Sequence, residues 1–430
     1  MVRPLGYPVF LRLLSPTGHI AAVPVTQHLL GLATAGMVYL LLRRLGARPG
    51  LAALGVAPVL LDPSQIYLEQ FVMAETLFEF LVVGGLAMLL WRDRPSLPLS
   101  AGAGVLVAAA ALTRTVGLLL LVPATAYLLV RRIGVKPVLS MLAGAAILIV
   151  PYGMWFASHH GHFGLEAYRG YFLAGRVLPF ADCASLELSD VERLLCDDRP
   201  PEQRPGPNAY VWGAESQLRH WAVPEGSDRN SLALDFAQRV IRHQPGDYLG
   251  VVARETLHYF APGRTGGPHD FPVEVLEFAT SFPPNDTWWP LHPPSDPYVW
   301  HWTWPGPAVA DSVILAKYGF DLSPASPEFN PRLASYLRHY QRLFYFSGPV
   351  LAVFLLVGVF GGLGRLSAGQ DRLRWAAVVL AGSGVLLVVA AAATSLFDYR
   401  YLVPALPLIP AGGAVGLCLL QQRARTAGRE

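Results

Sequence analysis

Residues 20–48 read IAAVPVTQHLLGLATAGMVYLLLRRLGAR, a run from Ile20 to Leu42 without Asp, Glu, Lys or Arg, closed by Arg43, Arg44 and Arg48. A helix that crosses a bilayer needs about 20 consecutive apolar residues, and arginine collects at the cytoplasmic ends of such spans. This stretch meets both conditions. Working outward from it gives eight further apolar blocks, at 51–61, 75–91, 98–112, 116–130, 137–157, 343–364, 375–397 and 401–420. Blocks 51–61, 98–112 and 116–130 are short for a straight span, so either their boundaries extend further or their helices are broken. The composition agrees: 53% of the 430 residues are hydrophobic and 15% charged, against about 25% charged in an ordinary soluble domain. Disorder, a collagen-like chain and a basic nucleic-acid binder are excluded.

The fold class expected is therefore an all-α polytopic membrane protein of about nine spans, with a mixed external domain inserted before the last three. The units are a membrane domain at 1–157 (a surface helix and about six spans), an extracytoplasmic domain at 158–342, and a membrane domain at 343–430 with three spans and a cytoplasmic tail. Charge sets the orientation. The connectors after Leu42, Trp91, Val130, Gly364 and Leu420 carry 14 Lys and Arg against 3 acids, whereas 158–342 carries 15 basic and 22 acidic residues. Alternating spans put all five basic connectors on one face, which the positive-inside rule makes cytoplasmic. The expected location is the plasma membrane, with the C-terminus inside and the large loop outside.

Nine spans with an internal C-terminus leave Met1 outside. Pro4 to Leu14 reads as a short helix on the outer surface rather than a signal peptide, so an earlier start with a further span is expected. Within 158–342, the segments 232–243 and 248–259 carry helical periodicity around a Pro245-Gly246 break. Cys183 and Cys196 share this domain, and outside the cell one bond between them would close a short loop; free thiols are the alternative.

Chemistry concentrates at the external face. Asp62, Glu69, Glu75 and Glu79 lie at or just inside it, and Glu75 and Glu79 share a helix face. Acids within a span face a water-filled cavity or a partner; interfacial solvation is the bland alternative, strongest for Asp62 and Glu69. Arg114 stands alone between two apolar blocks on the side where basic residues are disfavoured. Arg400 and Tyr401 occupy the last external turn. Two guanidinium groups there could grip a phosphate in bidentate fashion; the alternative is that Asp398 simply pairs with Arg400. Trp300, Trp302 and Trp304, with Trp288 and Trp289, place five of the ten tryptophans within seventeen residues. They suit either sugar stacking or interfacial anchoring. His159, His160 and His162 are metal-like only weakly, lacking companion ligands at the right spacing; no metal ligand is assigned, and a divalent cation is left open. No P-loop, dinucleotide fingerprint or nucleophile elbow is present.

Taken in order, Gly6-Tyr-Pro8-Val-Phe, Gln27-His-Leu-Leu-Gly, Ala74-Glu75-Thr-Leu-Phe, Leu112-Thr-Arg114-Thr-Val-Gly and Arg400-Tyr-Leu-Val-Pro404 resemble the GT-C integral-membrane glycosyltransferases. Within them the chain is most similar to the lipid-carrier-dependent group of protein O-mannosyltransferases and aminoarabinose transferases, in an actinobacterial lineage. The resemblance implies inverting transfer of a sugar from a polyprenyl phosphate to a glycan, lipid or protein acceptor at the outer membrane face. It implies Glu75 as the active-site carboxylate, with Glu69 and Glu79 secondary, and Arg114, Arg400 and Tyr401 on the lipid phosphate. In that family a catalytic aspartate precedes the Gly-Tyr-Pro element, where this sequence begins, which again implies an upstream segment. The rival expectations are a transporter or flippase of a lipid-linked substrate, and a non-catalytic scaffold whose external domain binds a glycan or protein.

Overall fold

The computed structural model describes residues 4–213, 216–267, 270, 273–280, 330–363 and 370–427. The tryptophans at 300, 302 and 304 lie outside the described residues. Those described are all-helical, with no strand among them. For the described part of 158–342 the expected mixed character is corrected: it is built from helices and irregular turns.

The first half comprises α1 (Gly6–Leu14), α2 (Ala22–Arg44), α3 (Pro49–Leu61), α4 (Pro63–Glu69), α5 (Glu75–Leu90), α6 (Leu97–Thr113), α7 (Leu121–Val130) and α8 (Val135–His160). After these come α9 (Arg169–Val177), α10 (Asp190–Arg193), α11 (Pro207–Trp212), α12 (Gln217–His220), α13 (Arg229–His243) and α14 (Pro245–His258). The last four are α15 (Pro331–Leu343), α16 (Gly348–Leu363), α17 (Asp371–Thr394) and α18 (Ile409–Ala427). Helices α2, α8 and α17 are each long and apolar enough to cross a membrane. Three bent pairs could each make one more span: α3 with α4 at 51°, α15 with Gly348–Gly362 of α16 at 51°, and Tyr399–Ala405 with Ile409–Arg425 of α18 at 42°. The chain thus carries three to six candidate spans by length and composition. Helices α5, α6 and α7 are shorter, with 16, 17 and 10 residues.

Leu29, Leu32, Leu40, Ile147, Met154 and Phe360 are exposed on the bundle surface. Outward-facing apolar side chains on long apolar helices mark a membrane-embedded protein, because lipid rather than the core is their solvent. Inside the bundle, close backbone approach replaces bulky interdigitation. A Cβ on Gly104 of α6 would overlap the Met141 carbonyl of α8, so only glycine lets these helices meet as they do.

A second core gathers Tyr171, Val177, Leu195, Tyr210, Trp221, Phe236 and Val240 from α9 to α13. The expected periodicity at 232–243 and 248–259 corresponds to α13 and α14, and Pro245 opens α14 at a position where its missing N–H costs nothing. Helix α14 leans on α17, with the Tyr248 hydroxyl donating to the Ala393 carbonyl at 2.9 Å. Cys183 and Cys196 are bonded, their Cα atoms 6.1 Å apart. Beside them, buried Asp197 accepts Arg199 Nε at 2.8 Å, Arg199 Nη2 at 2.6 Å and the Tyr210 hydroxyl at 2.5 Å.

The Arg199 guanidinium, with help from Tyr210, holds the Asp197 carboxyl well below the usual carboxylate range. A depressed carboxylate pKa stabilises the fold at neutral pH, and the contribution is lost as pH falls through the acid range. Hydrogen-exchange protection of peptides around 195–212 is therefore expected to hold at neutral pH and to fall below about pH 4. In Asp197→Asn, protection should already be lower at neutral pH and flatter on acidification. An unchanged acid profile in that variant would contradict the assignment.

Candidate active site

Three interruptions of the helices meet at one end of the bundle. After the irregular residues 70–74, α5 starts at Glu75, where the positive end of the helix dipole favours a carboxylate. Helix α6 stops at Thr113, and Arg114 takes an extended conformation (φ −144°, ψ 122°) before the 3-10 turn Thr115–Leu120. Beyond α17, Asp398 caps the 3-10 segment Tyr399–Ala405 by accepting the Arg400 N–H at 2.8 Å. Irregular backbone at membrane depth is tolerated where it lines a polar interior. These breaks do so.

Arg114 Nη1 lies 2.5 Å from Glu75 Oε1, and Arg400 Nε lies 3.5 Å from the same oxygen. Arg400 Nη2 also pairs with Asp398 Oδ2 at 2.9 Å. The Tyr401 ring stands against both guanidiniums, with its centroid 5.0 Å from Arg114 Cζ and 5.2 Å from Arg400 Cζ. Four residues singled out in the sequence, Glu75, Arg114, Arg400 and Tyr401, therefore come together, and Asp398 joins them. Arg400 pairs with Asp398, as the alternative reading expected, and also reaches Glu75. Glu75 and Asp398 are fully buried, and the arginine side chains are 17% and 15% exposed. Buried charges are tolerated only when their neighbours neutralise them, so each of these four charged groups requires the others.

Glu69 belongs to an adjoining cluster. Its Oε2 lies 2.6 Å from His28 Nδ1, and its Oε1 accepts Gln65 Nε2 at 2.8 Å. Gln27 donates to the carbonyls of Glu69 and Phe71 at 2.9 and 2.6 Å and accepts the Tyr7 hydroxyl at 2.8 Å. Glu79, one turn deeper on α5, is fully buried near the Gln65 side chain, and among the described residues neither carboxylate oxygen has a partner in full hydrogen-bonding geometry. Asp62 serves as a tie between segments. It caps α4 through the Ser64 N–H at 2.8 Å, accepts the Phe346 N–H at 3.1 Å and holds Arg264 Nη2 at 3.2 Å. Arg264 lies over the Tyr345 ring at 4.6 Å.

Sequence reasoning gave no site role to Arg264 or Gln65, nor to Tyr7 and His28, which it quoted only within the Gly6-Tyr-Pro8 and Gln27-His elements. Arg264 sits in a proline- and glycine-rich stretch with no periodicity to mark it. For His28 a signal existed: Gln27, His28 and Gly31 stand at helical spacing inside an otherwise apolar span. The histidines at the end of α8 are engaged locally, His159 with the Trp155 carbonyl at 2.9 Å and His160 stacked on Phe156 at 4.3 Å. Among the described residues, no three His, Cys, Asp or Glu side chains form a metal-holding group. No family model, curated protein or solved structure matches this chain.

The Glu69 carboxylate lies against the Gly31 Cα, where any added Cβ would overlap it. Gly31→Ala should therefore cost about 1–3 kcal/mol of stability. In a Glu69→Ala background the same substitution should cost far less, because the obstructing group is gone. Equal losses in both backgrounds, measured by thermal unfolding in detergent, would contradict the packing.

Proposed function

We propose that this chain is a multi-pass enzyme of the plasma membrane that transfers a sugar from a polyprenyl phosphate to an acceptor hydroxyl at the outer face. The observation that carries this reading is the convergence of Glu75, Arg114, Arg400 and Tyr401, drawn from segments more than 320 residues apart in sequence. In the proposed topology of about nine spans, 158–342 is an inserted extracytoplasmic domain and the C-terminus is cytoplasmic, so the cluster opens to the outer leaflet.

Arg114 and Arg400 supply the chemistry that a lipid phosphate requires, with several N–H donors in a low-dielectric site where charge-assisted bonds are strong. In the closed arrangement Glu75 occupies those donors. A donor phosphate entering the site would take its place and leave the carboxylate available as a base. The acceptor oxygen then attacks the anomeric carbon on the face opposite the phosphate, while its proton passes to Glu75. The bond from the anomeric carbon to phosphate oxygen breaks with its electron pair leaving on the lipid phosphate, so the anomeric configuration inverts. Positive charge held at the departing phosphate lowers the barrier most where charge develops. The buried carboxylates Glu69, Glu75, Glu79 and Asp398 gather toward the end of the bundle that holds this cluster rather than along several helices, which favours this reading over transport.

With a panel of polyprenyl-phosphate sugars as donors, Glu75→Gln should lower transfer by roughly 100-fold or more, and thermal unfolding of the same variant separates lost chemistry from the cost of an uncompensated Arg114. Full activity would remove Glu75 from the site. Arg400→Ala should raise the KM for the donor roughly tenfold with the acceptor KM unchanged, and Arg400→Lys should recover part of the loss. Equal effects on donor and acceptor would argue against phosphate binding.

A further inference from the structure

At the opposite end of α5 lies a second charged site that the proposed reaction does not use. Helix α5 has 16 residues, so its C-terminus is about 24 Å along the axis from Glu75. There Arg44 from the end of α2, Arg131 after α7 and Arg372 from the start of α17 line a cleft of about 420 Å³ with Asp93 and Asp371. Helices α2 and α17 are each long and apolar enough to span a membrane, and their arginine-bearing ends place this cleft at a membrane–water boundary.

Part of the arrangement is explained by helix capping. The last carbonyls of a helix lack partners within it and attract cations. Arg372 Nη2 donates to the Leu90 and Trp91 carbonyls at 2.9 Å each, and Arg44 Nε reaches Trp91 O at 3.4 Å. Arg131 pairs with Asp93 Oδ1 at 2.5 Å. Capping needs one cation, however, and three are present. Each guanidinium has five N–H donors, many more than these contacts consume. The Nε–H groups of Arg131 and Arg372 are buried without a hydrogen-bond partner among the described residues. The acids sit on the rim: the Asp93 side chain is 64% exposed against 12% for Arg131, and Asp371 is exposed. In the desolvated part of the cleft, then, the fixed charge is positive and donor-rich.

We propose that this cleft binds a phosphate group at the membrane boundary, supplied either by the headgroup of an anionic phospholipid or by a soluble phosphate. Basic pockets between helix ends at a membrane face hold such headgroups, and guanidinium forks match phosphate oxygens. The site is independent of the sugar-transfer reading, and its test needs no substrate.

The full chain, purified in mild detergent, is examined by native mass spectrometry after exposure to vesicles of phosphatidylglycerol, cardiolipin or phosphatidylcholine, with inorganic phosphate as a soluble competitor. Retention of the anionic lipids over phosphatidylcholine is expected. Arg44→Glu and Arg131→Gln should each weaken retention roughly tenfold, equivalent to about 1.4 kcal/mol. Arg48→Gln, an exposed cation at the same end but outside the cleft, should leave it unchanged. Displacement of lipid by inorganic phosphate, or binding of phosphate alone lost in the same variants, would identify the soluble source. Equal retention by all variants, or equal loss in Arg48→Gln, would overturn the proposal by reducing the arginines to general surface charge. Arg44 is exposed, so its variant is expected to fold even if Arg131→Gln does not.

Discussion

The Glu75 carboxylate, buried between Arg114 and Arg400, is the constraint on which the rest of the structure turns. An isolated charge at this depth would cost several kcal/mol, and removal of any one partner leaves another charge uncompensated. The breaks after α6 and α17 and the irregular stretch before α5 make sense against that requirement. The breaks set Arg114 and Arg400 beside the N-terminus of α5, where Glu75 begins the helix. The cost of interrupting helices in a lipid environment is offset because the freed backbone groups are reused. The Arg114 N–H still reaches Ala110 O at 2.8 Å, and Asp398 takes the Arg400 N–H.

The surrounding tyrosines fix this arrangement to the helices outside the bundle. Tyr259 at the end of α14 donates to the Asp398 carbonyl at 3.0 Å, and Tyr399 donates to Gly263 O at 3.1 Å. The segment that follows α14 thereby reads the position of the Asp398–Tyr401 turn directly. Arg264, from that same segment, is held by Asp62 at the start of α4. Two charge clusters, one around Glu75 and one around Asp62, thus tie the helical core of α9–α14 to the bundle through polar contacts.

Much of this was legible in the sequence. Charge-free runs near spanning length marked α2, α8 and α17, and the short block at 51–61 marked a place where a helix bends, because an apolar run too brief for a span must continue at an angle or stop; the bend within 401–420 was not marked, since that block has spanning length. Arg114 and Arg400 stood out because a lone cation between apolar blocks needs an anionic neighbour. That both meet Glu75 was not legible, since sequence spacing says nothing of which break faces which. The Glu69–His28 pair was missed for a related reason. Its partners lie on α2 and α4, and an apolar span with one Gln-His pair reads as a lipid-facing helix until Gly31 is seen to leave room for the carboxylate. Helices α9 to α12 were also not evident, unlike the periodic segments at 232–243 and 248–259, because short proline-punctuated helices with buried tyrosines lack the long periodicity that distinguishes helix from strand.

The most direct test of the Glu75–Arg114–Arg400 site is photocrosslinking of the purified full chain with a diazirine-bearing polyprenyl phosphate, followed by peptide mapping. The account predicts adducts at peptides around 113–120 and 397–405, suppressed by unlabelled polyprenyl phosphate. Absence of adducts at these peptides, or labelling there that competition leaves intact, would contradict it.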